Sequence, residues 1–224
     1  MADRPYVLLS CAISVDGYLD DAGPERLILS SEADLDRVDG VRAGVDAILV
    51  GANTIRRDDP RLVLRSPARQ AARVSRGLPP DPAKVTITRT GELDRTARFF
   101  TVGYADKLVY AATDAVPKAR ADLNGLAVVV DAGPLPDLRR ILKDLAERGV
   151  RRLMVEGGSG ILSWFLSEGY ADELHLVVAP LLVRDPAAPR WLRPSVPARA
   201  LRLLETREVG GCVLLRYALE PADG

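Results

Sequence analysis

The sequence predicts an α/β fold with a mixed, mostly parallel central sheet, helices on both faces and an antiparallel finish at the C-terminal end. Three observations predict it. Short apolar runs alternate with helix-like segments along most of the chain, the pattern of strands joined by helical crossovers. Runs such as Ala47–Val50 are apolar throughout, as strands covered on both faces must be. The last two runs, Leu174–Ala179 and Cys212–Tyr217, are separated by a Pro-rich loop without a helical pattern, which leaves them to close the sheet antiparallel.

Each element has its own signal. Tyr6–Ile13 reads as the first strand, and Ser31–Ala43 as a helix with Ser30 or Ser31 as cap and acids in its first turn. Ala47–Val50 is a short buried strand, Asn53–Arg57 a brief helix or turn, and Leu62–Leu64 a weak strand. Ser66–Pro82, rich in Arg, Ala and Pro, reads as a loop. Lys84–Thr88, Leu108–Ala111 and Leu126–Val130 are strands, with a helix at Val116–Leu123. In Asp137–Arg148, Leu138, Ile141, Leu142 and Leu145 share one helical face, and Gly149 stops the helix. Arg152–Val155 is a strand followed by a helix over Ile161–Glu168. No internal repeat or linker interrupts the 224 residues, so residues 1–224 read as one domain.

Composition narrows the function. Lys plus Arg and Asp plus Glu are equal at 31 each, which argues against general attraction to nucleic acid or membranes. Four arginines fall in Arg65–Arg76 without an aromatic residue, so the stacking platform of a single-strand binder is missing. No run approaches the roughly 18 apolar residues of a membrane span. Cys11 and Cys212 lie far apart in or beside apolar strands, as buried thiols in a reducing cytoplasm would. With His175 as the sole histidine, no metal site is expected. His175 lies on a strand and suits a structural or interface position better than a catalytic one. Trp164 and Phe165 suit the core.

The chemistry gathers where strands end. Glu156-Gly157-Gly158-Ser159-Gly160-Ile161 joins a strand to a helix. Glycines let a ligand approach the backbone, and Ser159 as cap leaves N–H groups and a positive dipole end facing an anion. The same residues would also make an ordinary tight connection. Asp16-Gly17 is turn chemistry after the first strand. Gly51-Ala-Asn-Thr54-Ile-Arg-Arg-Asp58-Asp59-Pro60-Arg61-Leu62 packs hydroxyl, guanidinium and carboxylate groups into one short segment. Arg42 at a helix end and Arg65 are each able to bind phosphate; for Arg42, a solvated cation complementing the helix dipole is the plainer alternative.

Ser14-Val-Asp-Gly, Gly51-Ala-Asn-Thr with Asp-Asp-Pro-Arg-Leu, and Val155-Glu-Gly-Gly together resemble the pyrimidine reductase domain of riboflavin biosynthesis, the C-terminal half of a bifunctional deaminase–reductase. The similarity runs from about Tyr6 to Tyr217. It implies a dihydrofolate-reductase-like three-layer fold, bound NADPH, frequent homodimers, and hydride transfer that opens the ribose of a phosphoribosylamino-pyrimidine to a ribitylamino chain. Residue by residue, it implies Thr54 and Asp58 beside nicotinamide and substrate, and Leu62, Arg65 and Glu156 lining the substrate. Arg42 falls on its phosphate end, and Gly157, Gly158, Ser159, Gly160 and Ile161 on the cofactor pyrophosphate. Ala12 joins the cofactor set, and Arg89, just past a strand, suits the 2′-phosphate. Asp58 and Glu156 are the catalytic candidates.

Two positions depart from the pattern. Arg26 stands where the family usually has a substrate-binding serine, as a third phosphate contact or a block to that pocket. Ile28 stands where a tryptophan is frequent. No His-x-Glu or Pro-Cys-x-x-Cys motif is present, so reduction without zinc deamination is expected. The alternatives are a dihydrofolate- or pterin-reducing relative of the same fold and a non-catalytic NADPH-binding protein.

Overall fold

The computed structural model describes residues 3–23 and 27–219. Its elements, in chain order, are β1 (Tyr6–Ser14), α1 (Glu32–Ala43), β2 (Ala47–Gly51), α2 (Ala52–Asp58), α3 (Pro67–Val74), β3 (Ala83–Thr88), α4 (Arg98–Thr101), β4 (Lys107–Ala111), α5 (Val116–Asp122), β5 (Val128–Asp131), α6 (Leu138–Glu147), β6 (Arg152–Val155), α7 (Ser159–Ser167), β7 (Glu173–Ala179), β8 (Leu201–Val209) and β9 (Cys212–Leu219). They form two compact units, one built mainly from Asp39–Leu153 and the other from Tyr6–Val38 with the chain from Met154 onward.

In the first unit β2, β3, β4 and β5 are parallel neighbours in that order, with Gly51 opposite Ile87, Thr88 opposite Ala111, and Ala111 opposite Asp131. Their side chains are buried as the apolar runs predicted: Ile48, Leu49, Val85 and Val109 are fully enclosed. Helix α6 lays Leu138, Ile141, Leu142 and Leu145 into the core. The Asp137 carboxylate caps it by accepting from the Arg140 N–H at 2.7 Å. One carboxylate also fixes the edge of β6, where Asp46 Oδ2 accepts from the main-chain N–H groups of Arg151 and Arg152 at 2.8 and 2.9 Å.

In the second unit β1 runs parallel to β7, and β7, β9 and β8 follow antiparallel. This is the predicted antiparallel finish. Gly210 and Gly211, both at positive φ, turn β8 into β9. Ser31 caps α1 as expected, its hydroxyl accepting from the Asp34 N–H at 3.2 Å. Cys212 is buried and Cys11 half-buried, and both are free thiols.

Several elements differ from the sequence reading. Leu62–Leu64 is not a strand. Asp59 and Leu62 sit at φ +41 and +47, outside any extended region, and Pro60 has no N–H to give a ladder. The supposed loop Ser66–Pro82 contains α3, which starts at a capping serine followed by proline: Ser66 Oγ accepts from the Arg69 N–H. Arg73, 2 % exposed, anchors it by donating to the Pro79, Ala43 and Val45 carbonyls. β8 lies inside the segment read as a Pro-rich connection; most of its side chains are exposed, so it lacks the apolar run that marks a buried strand. β5 begins two residues later than Leu126. Helix α7 begins at Ser159, and its cap is Gly158, with no side-chain cap bond. The expected Ser159 cap is therefore wrong, because the extended Gly158 already makes the entry turn.

A charged cluster crosses the second unit's sheet. Glu173 accepts from Arg216 at 2.6 Å and from the Tyr6 hydroxyl at 2.9 Å, and lies 2.8 Å from His175 Nε2. Arg216 also reaches Glu205 at 2.7 Å. The His175 hydrogen bond, then those from Arg216 and Tyr6, outweigh burial and hold the Glu173 carboxyl at about 2 instead of 4.5. A depressed folded value means that its stabilisation is complete above about pH 4.5 and is lost as pH falls toward 2. Glu173→Gln should lower stability at pH 7 by about 2 kcal/mol and flatten the acid limb. Urea midpoints at pH 7, 4 and 3 check this; an acid limb as steep as that of the wild type would refute it.

Candidate active site

In the second unit β6 delivers Glu156, half-buried, at the end of an apolar run. The chain then turns through Gly157 at φ +102, a conformation side-chain-bearing residues rarely adopt. The Gly157–Gly158 peptide is cis. The N–H groups of Ile161 and Leu162 both reach the Gly158 carbonyl, at 3.0 and 3.1 Å. Those of Ser159 and Gly160 therefore belong to the first turn, ahead of the helical ladder. Leu162, Ser163, Phe165 and Leu166 are buried and fix the helix; Trp164, expected in the core, is half-buried.

Over this turn lies Arg193, a residue the sequence reading missed. A Cβ on Gly160 would stand 2.8 Å from its guanidinium, and its own N–H donates to Ser163 Oγ at 2.9 Å. No local pattern marks an arginine in a Pro-rich segment. Main-chain N–H groups, glycines without Cβ atoms and a guanidinium make a surface that fits a phosphate.

The other predicted residues of this unit are spread along its strands. Ala12 is half-buried on β1, opposite Val177. Asp16 is an anchor: it accepts from Ser14 Oγ at 2.6 Å and from the N–H groups of Val183 and Arg184 at 3.1 and 2.9 Å. Those bonds, Ser14's foremost, hold its carboxyl at about 2. Ile28 is exposed. Arg26 lies outside the described residues. His175 is engaged by Glu173, Arg216 and Arg37, as a structural residue would be.

The first unit holds the remaining candidates. Helix α2 follows β2 directly, with Gly51 as its cap. Thr54 and Asp58, both half-buried, lie one turn apart on a common face. Asp59 ends the helix in the left-handed region, and its carboxylate accepts from the N–H and Nε of Arg98 at 2.6 and 2.9 Å. Leu62 is buried at φ +47. Arg65 is exposed, and its main-chain N–H donates to Asp39 Oδ1 at 2.5 Å. Arg42 lies one turn beyond Asp39 on α1, so the helix that carries one phosphate candidate also holds the backbone of the other. Arg89 is exposed immediately after β3.

Helix-dipole, guanidinium and carboxylate groups at strand ends suit a phosphorylated substrate and a dinucleotide. A family model described as the RibD C-terminal domain matches residues 5–215. The chain belongs to this family. It is 33% identical to the 2,5-diamino-6-ribosylamino-4(3H)-pyrimidinone 5′-phosphate reductase of Archaeoglobus fulgidus, over 80% of this chain and 82% of that protein. It is 32% identical to the riboflavin biosynthesis protein RibD of Bacillus amyloliquefaciens, of which it spans 48%. The crystal structure of a pyrimidine reductase-like protein from Corynebacterium diphtheriae superimposes with a TM-score of 0.81 at 21% identity, over 97% of this chain and 93% of that one. The fold is thus that of the RibD-type reductases. Among the described residues no helix is long and apolar enough to cross a membrane.

The Gly157 backbone yields a direct test. Gly157→Ala forces a methyl-bearing residue into φ +102 and should cost about 1–3 kcal/mol. Urea unfolding measures it; an unchanged midpoint would mean that the turn relaxes freely.

Proposed function

We propose that this chain, residues 1–224 acting as one reductase domain, is an NADPH-dependent reductase of the riboflavin pathway that converts a phosphoribosylamino-pyrimidine to its ribitylamino form. The observation that carries this is the likeness to a reductase of that named substrate over four-fifths of both chains. The Glu156–Ile161 turn, whose residues suit a pyrophosphate, supports it.

When bound, NADPH supplies the hydride. The chain's own groups bind, orient and move a proton. The turn into α7, Gly157 to Ile161, with Gly158, Ser159 and Gly160 at its centre, holds phosphate oxygens, and Ala12 and Thr54 line the cofactor. Arg89 pairs with the 2′-phosphate, which favours NADPH over NADH. Glu156 accepts from the amino groups of the pyrimidine. Leu62 gives the substrate an apolar wall, and Arg42 and Arg65 clamp its phosphate. Asp58 donates the proton to the imine-like nitrogen as the carbon beside it is reduced.

The β8 strand, paired with β9 alone among the described residues, exposes Leu201, Leu203 and Leu204. A sheet edge of this kind supports a homodimer. Light scattering at high micromolar concentration should give twice the chain mass, and a monomer mass would reject the dimer.

Arg42→Ala and Arg65→Ala should each raise KM for the phosphorylated pyrimidine about ten- to a hundredfold while changing kcat less. Asp58→Asn should act mainly on kcat. Absorbance assays with the phosphorylated and dephosphorylated pyrimidine and with dihydrofolate check these outcomes. Equal turnover of the two pyrimidine forms would remove the phosphate clamp, and turnover of dihydrofolate alone would make the protein a pterin reductase. Calorimetry should give tighter binding of NADPH than NADH, and Arg89→Ala should narrow the difference.

A further inference from the structure

The segment that carries Leu62 and Arg65 is held in an unusual way. It belongs to no strand or helix. Two of its residues, Asp59 and Leu62, are left-handed without being glycine. Such conformations persist only where the surroundings over-determine them. Here the surroundings are carboxylates. Asp59 is tied to Arg98. Asp81, 5 % exposed, accepts from the Leu64 N–H at 2.7 Å and from Gln70 Nε2 at 3.3 Å. Asp39, 1 % exposed, accepts from the N–H groups of Arg65 and Ser66 at 2.5 and 3.2 Å and pairs with Arg69 Nη1 at 2.9 Å.

The site of Arg65 along the chain is thus set by Asp39, a side chain of α1, and not by a ladder. The same helix carries Arg42 one turn further on. A single buried carboxylate therefore fixes the backbone under one arginine and shares a rigid helix with the other. We infer that Asp39 is a positioning residue for the anionic end of the substrate: it sets the spacing between Arg42 and Arg65, and so the preference for a phosphorylated over an unphosphorylated substrate. This rests on the phosphopyrimidine reading above. Asp39 itself faces main-chain N–H groups and Arg69. It acts through Arg65.

Asp39→Asn keeps the size and one acceptor but turns an amide N–H toward the N–H of Ser66. It should raise KM for the phosphorylated pyrimidine about tenfold, leave KM for the dephosphorylated form and the affinity for NADPH unchanged, and alter kcat less than about twofold. Combined with Arg65→Ala it should add little, because both changes remove one interaction. Should Asp39→Asn not fold, Arg69→Gln retains a donor for Asp39 and removes only the charge; it should shift the same KM in the same direction by a smaller factor. Equal KM increases for both substrate forms, or effects that multiply fully in the double variant, would overturn the inference while leaving the phosphate clamp standing. If Arg65→Ala alone leaves discrimination between the two forms intact, the clamp fails and the positioning role falls with it.

Discussion

A parallel strand exposes its chemistry only where its ladder ends, and there the main-chain N–H groups must find new acceptors in side chains or water. In this chain aspartate side chains supply those acceptors. Asp46 receives the N–H groups that open β6, Asp39 those that precede α3, Asp81 that of Leu64, and Asp16 those of the segment after β7. Asp172 receives Val7 at the start of β1. Without Asp81 the buried N–H of Leu64 would lose its acceptor, at a cost of about 1–3 kcal/mol. The arginines work in the opposite sense. Arg73 and Arg76 donate to the carbonyl of Ala43 at the end of α1.

Much of the scaffold was legible in the sequence because burial leaves a periodic trace. The four leucine and isoleucine positions of α6 and the apolar runs of β2 and β6 appear where the pattern placed them. Elements without such a trace were missed. β8 is largely exposed, so it lacks the apolar run that would have read as a strand. α3 has a capping Ser-Pro start and a buried arginine in place of an apolar stripe. The false strand at Leu62–Leu64 had the composition of one, but its backbone is governed by left-handed Asp59 and Leu62.

The site divides along the same line. Thr54, Asp58, Glu156 and the glycine turn follow strands directly, so local order announces them. Arg193 meets Gly160 only through tertiary folding, and Asp39 meets Arg65 across 26 positions of chain. An aspartate inside an acidic helix such as α1 looks like one more solvated charge until the fold shows it to be 1 % exposed. Ser159 shows the reverse error: the right residue type stood one place too late, because an extended glycine had already made the turn.

Burial pushes the thiol of Cys11 up to about 12, which keeps the nucleophilic thiolate scarce at pH 7. Cys212 is buried, and Cys11 is half-buried. Both thiols should therefore react slowly with maleimides and iodoacetamide. A cysteine placed on the surface, for example at the fully exposed Tyr104, would take a fluorophore or spin label alone, with both natural sulfurs left in position. The chain is thereby a ready background for distance measurements between its two compact units.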